Sequence, residues 1–286
     1  MSKIIDLIAQ LNEEQGMNLY SLHIMGEGIE EHYENSPKTR CHNSYSVAKA
    51  FTTTLGGIAY DEGLLKPEDK VADSLGKYFP KDIDRRWYDI TVDNALRHRI
   101  GLPDGFLDID VLDSRTFGND YLQYMFKAKM ICDPGTEWHY TDGAFYLLAR
   151  IVEECFKPVN LTQFLWEKLF TPLEFQEFAW SACPQGHILG GSDLYISSED
   201  CVKLGEVYRN GGLYKGKRII SKEWADIVFD RQYEFSFDSK IKMHGKGGYG
   251  GQFLCVFPEK HFSAAWHGFG CDDMIKPLLQ ILYDNI

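Results

Sequence analysis

Apolar residues recur at helical spacing at both ends of the chain. Near the start, Ile4, Ile8 and Leu11 fall on one face of a predicted amphipathic helix. Near the end, the stretch 274–283 predicts a second helix. We therefore expect the chain to begin and to end in helices.

Alternation of apolar and polar residues predicts strands beside these helices. Over 19–25 the alternation puts Tyr20, Leu22 and Ile24 on one side. A glycine turn then leads into 29–33, so the two stretches predict a hairpin.

Two apolar runs near the C-terminus predict another pair of strands. They cover 252–257 and 262–266 and are joined by a short loop. Before them, 199–210 has the pattern of a helix, and 61–184 contains helical pieces broken by proline and glycine, with no clear strand.

Strands at both termini with helices between them predict an α+β fold. We expect one antiparallel sheet, closed by the N- and C-terminal segments and flanked by helices, with an inserted helical subdomain. The sheet domain is predicted to comprise 1–60 and 185–286, and the helical subdomain 61–184. The functional cleft is expected between them.

Composition and charge narrow the range of partners. The chain has 286 residues, of which 44% are hydrophobic and 25% charged, as in an ordinary globular protein. Its formal net charge of −12 argues against binding nucleic acid or an anionic membrane. No apolar run approaches a membrane span, the N-terminal pattern does not fit a signal peptide, and the seven cysteines contain no C-x-x-C pair. We therefore expect a cytoplasmic protein with reduced thiols.

A mostly buried helix is predicted to begin at Ser46 and to stop at Gly63. Because residues three apart share a helix face, Lys49 lies one turn after Ser46, with its amine able to reach the hydroxyl. The serine also lies at the positive end of the helix dipole. These features suit an activated nucleophile, but they suit a capping serine followed by an ordinary lysine as well.

Two phosphate-loop patterns fail on their context. Residues 245–250 match G-x-G-x-x-G, but a strand follows where a dinucleotide fold needs a helix. Residues 211–217 match G-x-x-x-x-G-K, but Arg218 stands where a serine or threonine is required. Since the histidines and cysteines also lack metal-ligand spacing, we expect neither a cofactor nor a metal.

A series of motif blocks resembles the serine β-lactamase and penicillin-binding-protein superfamily. Within it, the series is most similar to the class C-like esterase branch, with nylon-oligomer hydrolases and family VIII-type esterases. The resemblance implies a sheet domain that carries a helical insertion, in agreement with the layout above. The blocks occur in order at Ser46-x-x-Lys49, 61–71, 90–103, 134–142, 146–153, 169–173, 190–200 and 210–221.

The resemblance implies a catalytic group of three residues. Ser46 would be the acylated nucleophile and Lys49 its proton partner. Tyr140, in the family's Y-x-N position, would be the second acid/base group. Since no recognisable Ser-His-Asp arrangement exists, the proton of Ser46 must pass to Lys49 or Tyr140, and we favour Tyr140 as the base.

The third motif has two competing registers in this chain. The favoured register is Lys246, Gly247 and Gly248, and the alternative runs from His244 to Lys246. In the favoured register the backbone N–H groups of Ser46 and Tyr249 would form the oxyanion hole. The substrate would then contact Asp142, Lys246, Gly247, Gly248 and His244.

Two departures from the family pattern bear on the substrate. Asp142 replaces an amide that can donate a hydrogen bond, and an ionised carboxylate can only accept one. Gly247 removes a hydroxyl that helps to hold a β-lactam carboxylate. We expect a serine hydrolase of small esters or amides. The alternatives are a β-lactamase or D-alanyl carboxypeptidase of the same fold, and a sensor that is acylated without turnover.

Overall fold

The computed structural model describes residues 2–35, 40–270 and 272–286. The chain forms two compact units. The sheet unit comprises Met1–Val47, Phe170–Ala179 and Leu194–Ile286, and the helical unit comprises Ala48–Leu169 and Trp180–Asp193. The domain boundaries expected from the sequence, 1–60 with 185–286 and 61–184, remain a prediction and differ from these units in detail.

The strands and helices are numbered in chain order. The strands are β1 Leu19–Gly26, β2 Ile29–Glu34, β3 His42–Asn43, β4 Ala179–Trp180, β5 Leu194–Ile196, β6 Leu213–Tyr214, β7 Lys217–Arg218, β8 Ser236–Asp238, β9 Met243–Gly248, β10 Gln252–Phe257 and β11 Phe262–Gly268. The helices are α1 Lys3–Glu14, α2 Ala48–Asp61, α3 Val71–Leu75, α4 Val92–Leu96, α5 Tyr121–Phe126, α6 Asp142–Phe156, α7 Leu161–Leu165, α8 Ser198–Arg209, α9 Lys222–Arg231 and α10 Ile275–Asn285.

The main sheet is six-stranded, with the order β2-β1-β11-β10-β9-β8. Every neighbouring pair is antiparallel, and β1 from the N-terminal part pairs with β11 from the C-terminal part. The α+β fold with an antiparallel sheet closed by both terminal segments is therefore confirmed. Both predicted strand pairs, β1 with β2 and β10 with β11, are present.

Helices cover both faces of this sheet. The terminal helices α1 and α10 place Ile4, Ile8 and Leu278 in one apolar core with residues of β1 and β11. On α8, a Cβ at Gly205 would lie 2.8 Å from the Cβ of Ser263 in β11. Glycine at this position therefore allows α8 to approach the sheet closely.

The helical unit is built around α2 and α6. Both helices are buried over most of their length, from Ala48 to Ala59 in α2 and from Asp142 to Val152 in α6. The hydroxyl of Thr52 donates to the carbonyl of Gly190 at 2.7 Å, which ties α2 to the segment 180–193. A helix that is buried on all sides is a core helix, so these two form the centre of the unit.

The start of α2 differs from the sequence prediction. Ser46 lies in a 3₁₀ turn, Tyr45–Val47, and the α-helix begins at Ala48. Tyr45 has a φ of 45° and its backbone N–H donates to the side chain of Asn43 at 2.8 Å, so the chain enters through a tight local turn. The predicted stop at Gly63 is confirmed, since its φ of 72° is left-handed.

The short strand β4 lies inside the stretch where the sequence shows no strand. Within the described residues, no helix combines the length and the apolarity needed to cross a bilayer. The cytoplasmic location stays a prediction.

Candidate active site

Lys49, near the start of α2, is the most deeply buried charged side chain of the candidate site. It has no exposed surface, and its Nζ lies 2.5 Å from Asp142 Oδ1. The same amine donates to the carbonyl of Gly191 at 2.7 Å. A buried ammonium group needs such an anionic partner, because the charge loses its hydration.

Local structure determines where Asp142 lies. It is the first residue of α6, and Thr141 caps that helix by accepting from Gly143 N at 3.1 Å. A carboxylate at a helix N-terminus is favoured by the helix dipole. A Cβ at Gly191 would lie 3.0 Å from Asp142 Cγ, so the absence of a side chain at Gly191 lets its carbonyl reach Lys49.

Tyr140 lies beside the same lysine. The centroid of its ring is 4.7 Å from Lys49 Nζ, and the ring of His98 packs against it at 4.4 Å. His98 Nδ1 accepts from Thr141 N at 3.2 Å, while Gly105 N donates to the carbonyl of Tyr140 at 2.8 Å. His98 therefore packs against the tyrosine ring and holds the backbone of the next residue. The structure brings Lys49, Tyr140 and Asp142 together within the helical unit.

Two more aspartates lie close to this group, and the sequence analysis did not find them. Oxygen atoms of Asp108, Asp110 and Asp142 lie within 4.8 Å of one another. Burial raises the pKa of Asp110 to about 6, against the hydrogen bond that Ser192 donates to it at 2.9 Å. Burial and then the charge of Asp142 raise the pKa of Asp108.

In the sequence, Asp108 and Asp110 are two loop residues two positions apart, and this spacing does not predict that they lie near Asp142. The three oxygens are ligands of the kind that a hard cation prefers. A second group, at Cys132, Glu137 and His139, also brings three potential ligand atoms within 4.8 Å. Scattered spacing in the sequence thus did not reveal which side chains meet in space.

The third motif lies on β9 in the sheet unit. Because side chains alternate along a strand, His244, Lys246 and Gly248 share one face. A Cβ at Gly248 would lie 2.5 Å from the carbonyl oxygen of Ser44 and 3.3 Å from Ser46 N. The end of β9 therefore packs directly on the backbone that leads to Ser46.

The side chains of Lys246 and His244 in this motif have different surroundings. Lys246 forms an ion pair with Glu234, a residue that the sequence analysis missed. His244 stacks on Phe229 with ring centroids 3.9 Å apart, and burial lowers its pKa to about 4. The ring of Phe237 also lies near the imidazole, with centroids 4.8 Å apart. His244 thus lies in an aromatic environment, and the choice of register stays a prediction.

The predicted oxyanion-hole residues lie in short turns. Tyr249 begins the 3₁₀ turn between β9 and β10, and 58% of the residue is exposed. Its ring contacts that of Tyr45 at 5.6 Å. Ser46 lies in the turn that leads into α2, three residues before Lys49. The role of Ser46 and Tyr249 in an oxyanion hole stays a prediction.

These features agree with a comparison against known families. An antiparallel sheet flanked by helices, together with a helical unit that buries the lysine of an S-x-x-K motif, is what the motif series implied. The family model described as beta-lactamase matches residues 5–267. The chain therefore belongs to the beta-lactamase family, which confirms the resemblance.

Individual relatives are more distant. A curated beta-lactamase of Escherichia coli strain K12 is 29% identical over 141 residues, which is 49% of this chain and 34% of that protein. The match thus spans about a third of the relative's length.

Solved structures are similar over almost the whole chain. A protein of Bacillus anthracis described as a 6-aminohexanoate-dimer hydrolase has a TM-score of 0.78 at 14% identity, covering 96% of this chain and 80% of its own. A family VIII carboxylesterase has a TM-score of 0.76 at 17% identity and coverages of 99% and 97%. A penicillin-binding protein homologue of Caulobacter crescentus has a TM-score of 0.76 at 16% identity, with the same coverages. At these identities the structures show the fold alone.

Proposed function

We propose that this protein is a serine hydrolase that cleaves a small ester or amide through an acyl-Ser46 intermediate. The observation that carries the proposal is the buried Lys49, held by Asp142 and packed beside Tyr140, three residues after Ser46. The relatives named as a carboxylesterase and as a 6-aminohexanoate-dimer hydrolase support an ester or amide substrate.

The surroundings of Lys49 support one division of the acid and base roles. A carboxylate 2.5 Å from Nζ stabilises the ammonium form, so Lys49 acts as a cation and not as the base. Tyr140 then takes the proton from the Ser46 hydroxyl while the serine oxygen attacks the carbonyl carbon. The tyrosine returns that proton to the leaving oxygen or nitrogen, and water hydrolyses the acyl-enzyme by the same route.

The substrate class follows from the two departures in the motifs. Asp142 accepts from Lys49 and offers no donor to a substrate carbonyl, and Gly247 has no hydroxyl. Each missing hydrogen bond to a charged or buried group is worth about 1–3 kcal/mol, so together they lower β-lactam turnover by roughly a hundredfold or more. Short-chain esters with good leaving groups depend less on these contacts.

The acyl-serine step is tested by covalent labelling. A fluorophosphonate should add one group, and tryptic mapping by mass spectrometry should locate it on Ser46. Ser192 is the matched control, because it is 1% exposed and already donates to Asp110. A label on another residue, or equal labelling of Ser46→Ala, would remove the hydrolase proposal.

Kinetics separate the alternatives of the same fold. A series of p-nitrophenyl esters of graded length should be cleaved with higher kcat/KM than nitrocefin. Faster nitrocefin hydrolysis than that of every ester would favour a β-lactamase. A stable adduct on Ser46 without turnover of any substrate would favour a sensor.

A further inference from the structure

Lys246 of β9 is paired with a carboxylate that no motif predicts. Its ion pair is with Glu234, which lies between α9 and β8 in a left-handed conformation with φ of 62°. The two side chains are 10% and 4% exposed. Since both charges are nearly removed from water, each one largely cancels the field of the other at short range.

This pair lies close to the proposed nucleophile within the sheet unit. Lys246 and Gly248 share a face of β9 and are two residues apart, or about 7 Å along a strand. A Cβ at Gly248 would lie 3.3 Å from Ser46 N. The Glu234–Lys246 pair therefore determines the charge that a substrate meets beside this end of β9.

The buried lysine of the helical unit is likewise paired with a carboxylate. Lys49 is paired with Asp142, and the carboxylates of Asp108 and Asp110 lie close to Asp142. Lys49 of the S-x-x-K motif and Lys246 of the third motif thus each have a carboxylate partner.

We propose that Glu234 is a specificity-determining residue, which neutralises Lys246 and thereby selects substrates that carry no carboxylate beside β9. The inference rests on the proposed hydrolase function. On this inference the substrates are uncharged esters or amides, and Glu234 is the side chain that excludes anionic substrates.

The test compares two esters of similar size, one with a free carboxylate and one with that carboxylate masked. The probes are p-nitrophenyl monoglutarate, which carries a carboxylate, and its methyl ester, which is neutral. Wild-type protein should cleave the neutral ester with a kcat/KM at least equal to that of the anionic one. In Glu234→Gln the size of the side chain is kept and Lys246 loses the negative charge of its partner. The anionic-to-neutral ratio of kcat/KM should then rise roughly tenfold to a hundredfold, mainly through KM of the anionic ester.

Two variants control for a structural effect. Glu206→Gln breaks the buried Glu206–Arg209 pair of α8 in the same unit, and it should leave the ratio as in wild type. The double variant Glu234→Gln/Lys246→Gln removes both charges and should return the ratio to the wild-type value. An unchanged ratio in Glu234→Gln, or an equal rise in Glu206→Gln, would overturn the inference.

Calorimetry with monomethyl glutarate separates this inference from the proposed function. Tighter binding by Glu234→Gln than by wild type, without hydrolysis of any ester, would contradict the hydrolase proposal and support the role of Glu234. Ester cleavage through Ser46 with an unchanged anionic-to-neutral ratio in Glu234→Gln would support the hydrolase proposal and contradict the role of Glu234. If Glu234→Gln does not fold, the wild-type pair of esters decides, because a preference for the anionic ester contradicts the inference.

Discussion

Replacing Asp142 by asparagine tests how strongly the helical unit depends on the Lys49–Asp142 pair. The substitution keeps the shape of the side chain and an acceptor oxygen but removes the negative charge. Lys49 has no exposed surface and would lose the carboxylate in direct contact with it, while the carbonyl of Gly191 and the more distant charge of Asp108 would remain. Removing one partner of a buried pair costs about 3–5 kcal/mol, because the remaining charge stays buried without compensation.

The amide oxygen of asparagine still accepts a hydrogen bond from Lys49, so we expect a loss near the lower end, about 3 kcal/mol. For a chain of this size that corresponds to a fall in Tm of roughly 5 °C. Thermal and urea unfolding followed by circular dichroism measure both quantities at neutral pH.

Glu62→Gln is the control in the same unit. Its carboxylate pairs with Lys168 at 2.7 Å, but both side chains are about 40% exposed or more. Such surface pairs contribute at most about 1 kcal/mol. If Asp142→Asn is no more destabilising than Glu62→Gln, the lysine does not depend on the carboxylate, and the assignment of Lys49 as a fixed cation fails.

Three further predictions concern substitutions at Asp110, Tyr140 and Gly248. Burial raises the pKa of Asp110 from 3.8 to about 6, so the folded protein loses stability as the pH rises from 3.8 through 6 and this carboxyl group ionises. After discounting for exposure, Asp110→Asn should stabilise the protein by roughly 1–2 kcal/mol at pH 7 and should have no effect near pH 4. Urea unfolding at both pH values measures the difference. Tyr140→Phe should slow acylation by roughly 10²–10⁴-fold in a stopped-flow burst assay, and near-normal acylation would make Lys49 the base. Gly248→Ala should cost about 1–3 kcal/mol in thermal unfolding, since its Cβ would lie 2.5 Å from a backbone carbonyl, whereas Gly247→Ala meets nothing closer than 3.5 Å and should be tolerated.

The sequence alone determined the features that depend on neighbours along the chain. Helical periodicity located α1, α8 and α10, and alternation located the strand pairs at the two ends. The order of the motif blocks was enough to predict the family and an α+β fold. The physical reason is that periodicity and turn residues act over a few positions, so they can be read without knowing the rest of the molecule.

Only the tertiary structure decided which side chains compensate the buried charges. Lys49 and Asp142 are 93 positions apart, and Asp110 and Ser192 are 82 apart. The partner of Lys246 depends on a chain reversal between α9 and β9, to which no local pattern points. Burial is a property of the packed molecule, and a charge removed from water selects its partner from whatever the fold brings within about 4 Å. For that reason the motif of the proposed nucleophile could be recognised in the sequence, whereas the charges around Lys49 and Lys246 could not be predicted from it.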